Sequence, residues 1–155
     1  MGRPHPTDRR LDRFLGFRPR SIEETKDFLE KRLQLSEDEQ EKHITKLISS
    51  GILDDLAFTR WWVDARTLKR PRSFFLIKHE LYKKGVSKDI IEKVLKESGA
   101  NDKDTIKALL EKKIPSFSHK YTGEEMTQKL IVFLMRRGYS YSLSRHAVED
   151  FLSKE

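Results

Sequence analysis

RPRSIEETKDFLEKR, residues 18–32, and RPRSFFLIKHELYKK, residues 70–84, are the two stretches that organise this 155-residue chain. Arg-Pro-Arg-Ser is common to both at an offset of 52, and in that register Lys26 matches Lys78, Leu29 matches Leu81 and Lys31 matches Lys83. Arg32 falls on Lys84, and Leu134 and Arg137-Gly138 follow Leu81 and Lys84-Gly85 by a further 53 positions. Four residues alone could coincide by chance. Several more matches in one register indicate units of about 50 residues. The expected domains are 1–52, 53–99 and 100–155.

Each unit reads as three helices. Ser73 opens a helix with Phe74, Ile77 and Leu81 on one face and Gly85 as its stop. Before it, Asp54 or Asp55 caps a helix whose Phe58, Trp61, Trp62 and Ala65 follow i, i+3, i+4, i+7. After it, Ser87 starts a helix with Ile90, Ile91, Val94 and Leu95 inward, ending at Gly99. The first unit carries Ser21/Glu24 and Ser36/Glu39, the spacing at which hydroxyl and carboxylate satisfy each other's free backbone amides. Gly51 ends it. In the third unit a Thr122/Glu125 pair precedes Met126, Leu130, Phe133 and Leu134, and Pro115 to Thr122 is expected as a long loop. Leu143, Ala147 and Phe151 complete that unit's apolar set. No stretch alternates with a period of two beside hairpin chemistry, so no sheet is predicted. The predicted fold is all-α: three tandem three-helix repeats forming an elongated, curved molecule.

Charge narrows the function. The chain has 32 Lys and Arg against 25 Asp and Glu, a net of +7. From Arg60 to Lys84 eight cations face only Asp64 and Glu80, whereas Glu23 to Glu41 holds eight acids and three bases. Segregated blocks of this kind suit a polyanion, an acidic protein surface, or both. Absent cysteines exclude disulfides, thiolate metal sites and thiol nucleophiles. The longest apolar run, Leu130 to Met135, is six residues, far short of the roughly 20 of a membrane span. With no visible secretory leader, a soluble cytoplasmic protein is expected.

Five scattered histidines show no metal-ligand spacing, and no glycine-rich phosphate loop is present. Helix capping explains Asp54-Asp55 and the two motif serines better than acid–base or nucleophilic work. The chain is read as a non-enzyme without cofactor or metal. Its expected binding face comprises Arg18, Arg20, Arg60, Arg66, Lys69, Arg70, Arg72, Lys78, Lys83, Lys84, Arg136 and Arg137. Guanidinium groups near a helix start favour phosphate or carboxylate. This face is expected to be strong in the middle, present at the start and weak at the end, where Gly123-Glu124-Glu125-Met126 replaces the basic motif. Trp61 is placed in the core with Phe58 and Ala65, leaving Trp62 as a candidate surface or inter-unit aromatic.

GILDDLAFTRWWVDAR (51–66), RPRS (70–73), ELYKKGV (80–86) and IIEKVL (90–95) together closely resemble the RecX family of recombination regulators. The resemblance runs from about residue 8 to 151 and is most specific in the middle unit. It implies tandem three-helix repeats and a non-enzymatic modulator that binds the RecA recombinase. Such a modulator lodges in the groove of the RecA–DNA filament and suppresses ATP hydrolysis, strand exchange and co-protease activity. It also implies weak, salt-dependent contact with single- or double-stranded DNA, and a monomer is the expected state. The alternative is a helical DNA-binding protein that acts by competing for DNA.

Overall fold

The computed structural model describes residues 6–154. Among them are nine α-helices and no strand: α1 (Pro6–Phe17), α2 (Ile22–Lys31), α3 (Glu37–Ser49), α4 (Asp55–Asp64), α5 (Phe74–Lys83), α6 (Lys88–Ser98), α7 (Asp102–Ser118), α8 (Gly123–Arg136) and α9 (Tyr141–Ser153). A π-helical turn, Ala65–Lys69, follows α4. The helices form three successive sets of three, the all-α repeat architecture expected from the 52-residue offset. Packing divides the chain differently from the repeats. One unit comprises the residues through Trp62 with Leu81–Val94, the other Val63–Glu80 with the residues from Leu95 onward.

In the first unit Leu11, Leu29, Ile44, Leu47 and Leu53 form the core, flanked by Phe14 and Phe28 stacked at 4.1 Å. Both expected capping boxes are present: Ser21 and Ser36 accept the N–H of Glu24 and Glu39, whose carboxylates accept the serine N–H in return. An apolar cluster of the second unit, including Ile106, Leu110, Leu130, Leu134 and Val148, lies among α7, α8 and α9. Of the expected set on α9, Leu143 is exposed, while Ser144 and Val148 take the buried face.

Three further expectations change. Trp62 is buried, at 8% exposure, and Trp61 is the outer ring, at 38%. The buried residues of α4 are Phe58, Thr59, Trp62 and Val63, so the inner face lies one position beyond the one read from apolar letters alone. Thr59 fits there because its hydroxyl donates to the Asp55 carbonyl at 2.6 Å, leaving no unpaired polar group. Pro115 lies inside α7 and does not open a loop. It occupies the final turns, where its missing N–H removes one hydrogen bond, while buried Ile114 and half-buried Phe117 hold the turn on the core. The Thr122/Glu125 box does not form. Gly123 takes φ +54, which carries the backbone off the right-handed path between the Thr122 hydroxyl and the amide it was expected to accept.

The recurring motif is a docking device used twice. In the first unit the Ser21 hydroxyl donates to the Lys84 carbonyl at 2.7 Å, and Asp55 Oδ1 accepts the Ile22 N–H at 2.9 Å. In the second, the Ser73 N–H donates to the Arg137 carbonyl at 3.0 Å, and Asp102 Oδ1 accepts the Phe74 N–H at 3.0 Å. A helix start thus meets a helix end, where a serine hydroxyl or amide satisfies a free carbonyl and opposite ends of two helix dipoles come together. Both receiving ends carry a left-handed glycine, Gly85 at φ +75 and Gly138 at φ +91.

Burial raises the carboxyls of Asp55 and Asp102, only partly offset by the amide each accepts. A raised carboxyl contributes its stability below the ordinary carboxylate range and loses it as pH rises through the raised value. Asp102→Asn keeps an Oδ1 acceptor for Phe74 and removes the half-buried charge. Urea unfolding at pH 7 should therefore find Asp102→Asn at least as stable as wild type and Asp102→Ala weaker by about 1 kcal/mol. An asparagine variant as weak as the alanine one would show that the charge itself, acting on the helix start, is what stabilises.

Candidate anion-binding groove

The second unit contains a groove of about 860 Å³. One wall is the π turn and the motif after it, Leu68 through Arg72, with Leu76 of α5. The other comes from Ala108, Leu109, Lys112, Lys113 and Ser116 of α7, and the end is closed by Phe133, Arg136 and Arg137. Seven of these residues are cationic and none is a carboxylate. Because like charges repel across a concave wall and field lines concentrate there, such a groove attracts an anionic partner more strongly than the same charges spread on a convex surface.

Local structure sets the cations in place. Arg70 N–H reaches back to the Ala65 carbonyl at 3.3 Å, an i→i+5 bond, and the Thr67 hydroxyl donates to the Val63 carbonyl at 2.8 Å. Arg70 then leaves the helical path (φ −134, ψ 76), and the Arg72 N–H caps the turn on the Arg66 carbonyl at 3.0 Å. π turns of this kind occur often at functional sites, because the extra residue re-aims the side chains beside it. Glu80 holds Arg72 through a charge-assisted hydrogen bond and Arg66 through another at 3.1 Å. By contrast Lys69, Arg70, Lys112 and Arg136 make no ion pair among the described residues. Lys113 and Arg137 are held over the Phe133 ring, at 5.2 and 5.4 Å from its centroid.

Of the twelve cations expected at the binding face, the groove gathers Lys69, Arg70, Arg72, Arg136 and Arg137. Arg66 stands behind it on Glu80, and half-buried Lys78 belongs to the same unit beside Asp102. The others lie in the first unit. Arg18 and Lys84 both bond Glu24, Lys84 at 2.8 Å, with their charges 5.9 and 5.7 Å from the Trp62 ring. Burial would raise the Glu24 carboxyl, but hydrogen bonds from Arg18, Lys84 and the Ser21 amide together hold it below the usual carboxylate range. The stability it contributes is therefore present above that range and lost as pH falls through the depressed value. Arg20 lies 4.0 Å from the Phe14 ring and donates Nε–H to the Phe14 carbonyl, while Arg60 and Lys83 are exposed.

Lys112 and Lys113 were not anticipated, and the third repeat is not the weak end of the basic surface. It supplies four of the groove's seven cations. A linear count misses them because Glu111 precedes the pair and α7 as a whole is mixed in charge. The readable signal is helical: Ala108, Leu109, Lys112, Lys113 and Ser116 recur at i, i+1, i+4, i+5 and i+8, one face of α7.

Tandem three-helix repeats bearing a concave basic site define the class as an all-helical repeat protein with a basic groove. Residues 54–95 match the family model described as RecX, second three-helix domain, and residues 101–148 match RecX, third three-helix domain. The regulatory protein RecX of Prosthecochloris aestuarii is 32% identical over 140 residues, spanning 90% of this chain and 89% of the relative. That of Chlorobium phaeobacteroides is 30% identical over 143 residues, spanning 92% and 88%. The crystal structure of RecX from Lactobacillus salivarius superposes with a TM-score of 0.69 over 92% of both chains at 23% identity, a likeness of fold. The chain belongs to the RecX family. No helix among the described residues is long and apolar enough to cross a membrane, and no cluster of three metal-ligating side chains occurs among them.

Proposed function

We propose that this chain is a regulator of the RecA recombinase: it binds RecA and the RecA–DNA filament and lowers ATP hydrolysis, strand exchange and co-protease activity. The observation that carries the reading is the gathering of seven cations, without a carboxylate, in one groove of a RecX-family chain. Filament DNA and acidic protein loops both offer the charge such a groove needs. Successive weak contacts along a filament add through effective concentration, so a modest contact per protomer suffices. The repeats 1–52, 53–99 and 100–155 are its functional modules, and it acts as a cytoplasmic monomer.

The test is single-strand-dependent ATP hydrolysis by RecA of the same organism, titrated with this chain near physiological salt. A fall in rate well below one modulator per RecA protomer, at concentrations where free DNA is little bound, supports the filament regulator. Inhibition that begins only when the chain coats the DNA would replace it with the competing DNA-binder.

A further inference from the structure

The groove contains one aromatic side chain, and that ring is already engaged. Lys113 Nζ lies over Phe133 at 5.2 Å and over Phe117 at 5.0 Å, while the Arg137 guanidinium lies over Phe133 at 5.4 Å. The two rings meet edge to face at 6.3 Å, and Tyr121, under Lys129, extends the series from Phe117. Cations over a ring face are attracted by its quadrupole and lose freedom there. A ring so covered is not a platform for a nucleobase, which needs the same face. In base-edge readout amides pair with adenine, carboxylates with cytosine, and arginine or lysine with guanine. No lining side chain is an amide or a carboxylate, and the one hydroxyl, Ser116, donates to the Lys113 carbonyl at 2.9 Å.

We propose that Phe133 is a positioning residue that holds Lys113 and Arg137 as a paired phosphate contact. The groove thereby takes a linear phosphate backbone without stacking its bases on a free ring. This deepens the proposed function and rests on it, since it assumes that the groove meets nucleic acid. The ligand class is any flexible chain of regularly spaced phosphates: single-stranded DNA, a strand without bases, or inorganic polyphosphate.

The experiment measures binding of the full chain to a single-stranded oligonucleotide and to an abasic strand of equal length across a range of salt, with inorganic polyphosphate as competitor. Equal affinities for both strands and displacement by polyphosphate are expected. In Phe133→Leu the slope of log affinity against log salt should shrink by about 1.4, two contacts at roughly 0.7 each for a single strand. Phe133→Tyr, which keeps the ring, should restore it. Thermal melts of both variants follow the packing role of the ring, which does not by itself change the salt slope. Much weaker binding of the abasic strand, or an unchanged slope in Phe133→Leu, would overturn the proposal while leaving the groove as the binding site. If Lys112→Glu with Arg136→Glu leaves oligonucleotide binding intact, the groove assignment itself fails and this inference fails with it.

Discussion

Gly138→Ala is expected to destabilise the chain by about 2–5 kcal/mol, through a left-handed backbone that costs an L-residue roughly 1–2 and overpacking that costs roughly 1–3. Gly138 stands at φ +91, and a Cβ there would lie 2.5 Å from Ser73 Oγ and 2.9 Å from Leu76 Cβ. Neither neighbour yields cheaply. Ser73 Oγ accepts the Leu76 N–H at 3.1 Å, and Leu76 Cβ is fixed to the α5 backbone. Gly51→Ala is the matched control: its φ is +78, yet nothing lies within 4 Å of its Cβ, so only the backbone cost of roughly 1–2 kcal/mol applies. Thermal unfolding followed by circular dichroism separates the two, at roughly 2–4 °C per kcal/mol for a chain of this size. Equal losses would mean that the close approach of Ser73 to Gly138 contributes nothing. Gly85, with a Cβ placed 2.4 Å from Glu23 Cβ, should behave like Gly138.

The second large effect is on binding. The triple variant Arg70→Glu, Lys112→Glu, Arg136→Glu reverses charge on three walls of the groove, using side chains that hold no ion pair among the described residues. Helicity and melting temperature should therefore change little, while affinity for single-stranded DNA at physiological salt falls on the order of 100-fold and the salt slope shrinks by at least two. Inhibition of RecA ATP hydrolysis should fall in parallel. Lys83→Glu, exposed in the other packed unit, is the comparison and should have a small effect. Arg18→Glu is not a usable probe of binding. It would set a second carboxylate beside half-buried Glu24 and act through stability instead. If the triple variant inhibits as well as wild type, the binding face lies elsewhere, with Arg60 and Lys83 the next candidates.

Helices and repeats were legible because their determinants are local. Capping boxes at Ser21 and Ser36 depend on residues three apart, and the 52-residue offset is carried by letters that can be compared directly. The family resemblance drew on the same local strings, above all residues 51–66. Where local letters misled, a neighbour had intervened. Thr59 enters the core because a carbonyl one turn back satisfies its hydroxyl, which turns α4 and exchanges the roles of Trp61 and Trp62.

The functional residues divide in the same way. Lys69, Arg70 and Arg72 announce themselves as a basic run, and Arg136-Arg137 as a doublet. Their meeting with Lys112 and Lys113 is a property of packing, since the motif between α4 and α5 lies far along the chain from α7 and α8. So is the sorting of apparently equivalent arginines. Arg18 closes on Glu24, whereas Arg70, its match in the repeat, is left without an ion pair at the rim of the groove. Composition and period are enough to make helices and to repeat them, because hydrogen bonds and capping act within a few residues. Charge acts through space, and which cations remain available to a partner depends on where the folded chain has put its own carboxylates.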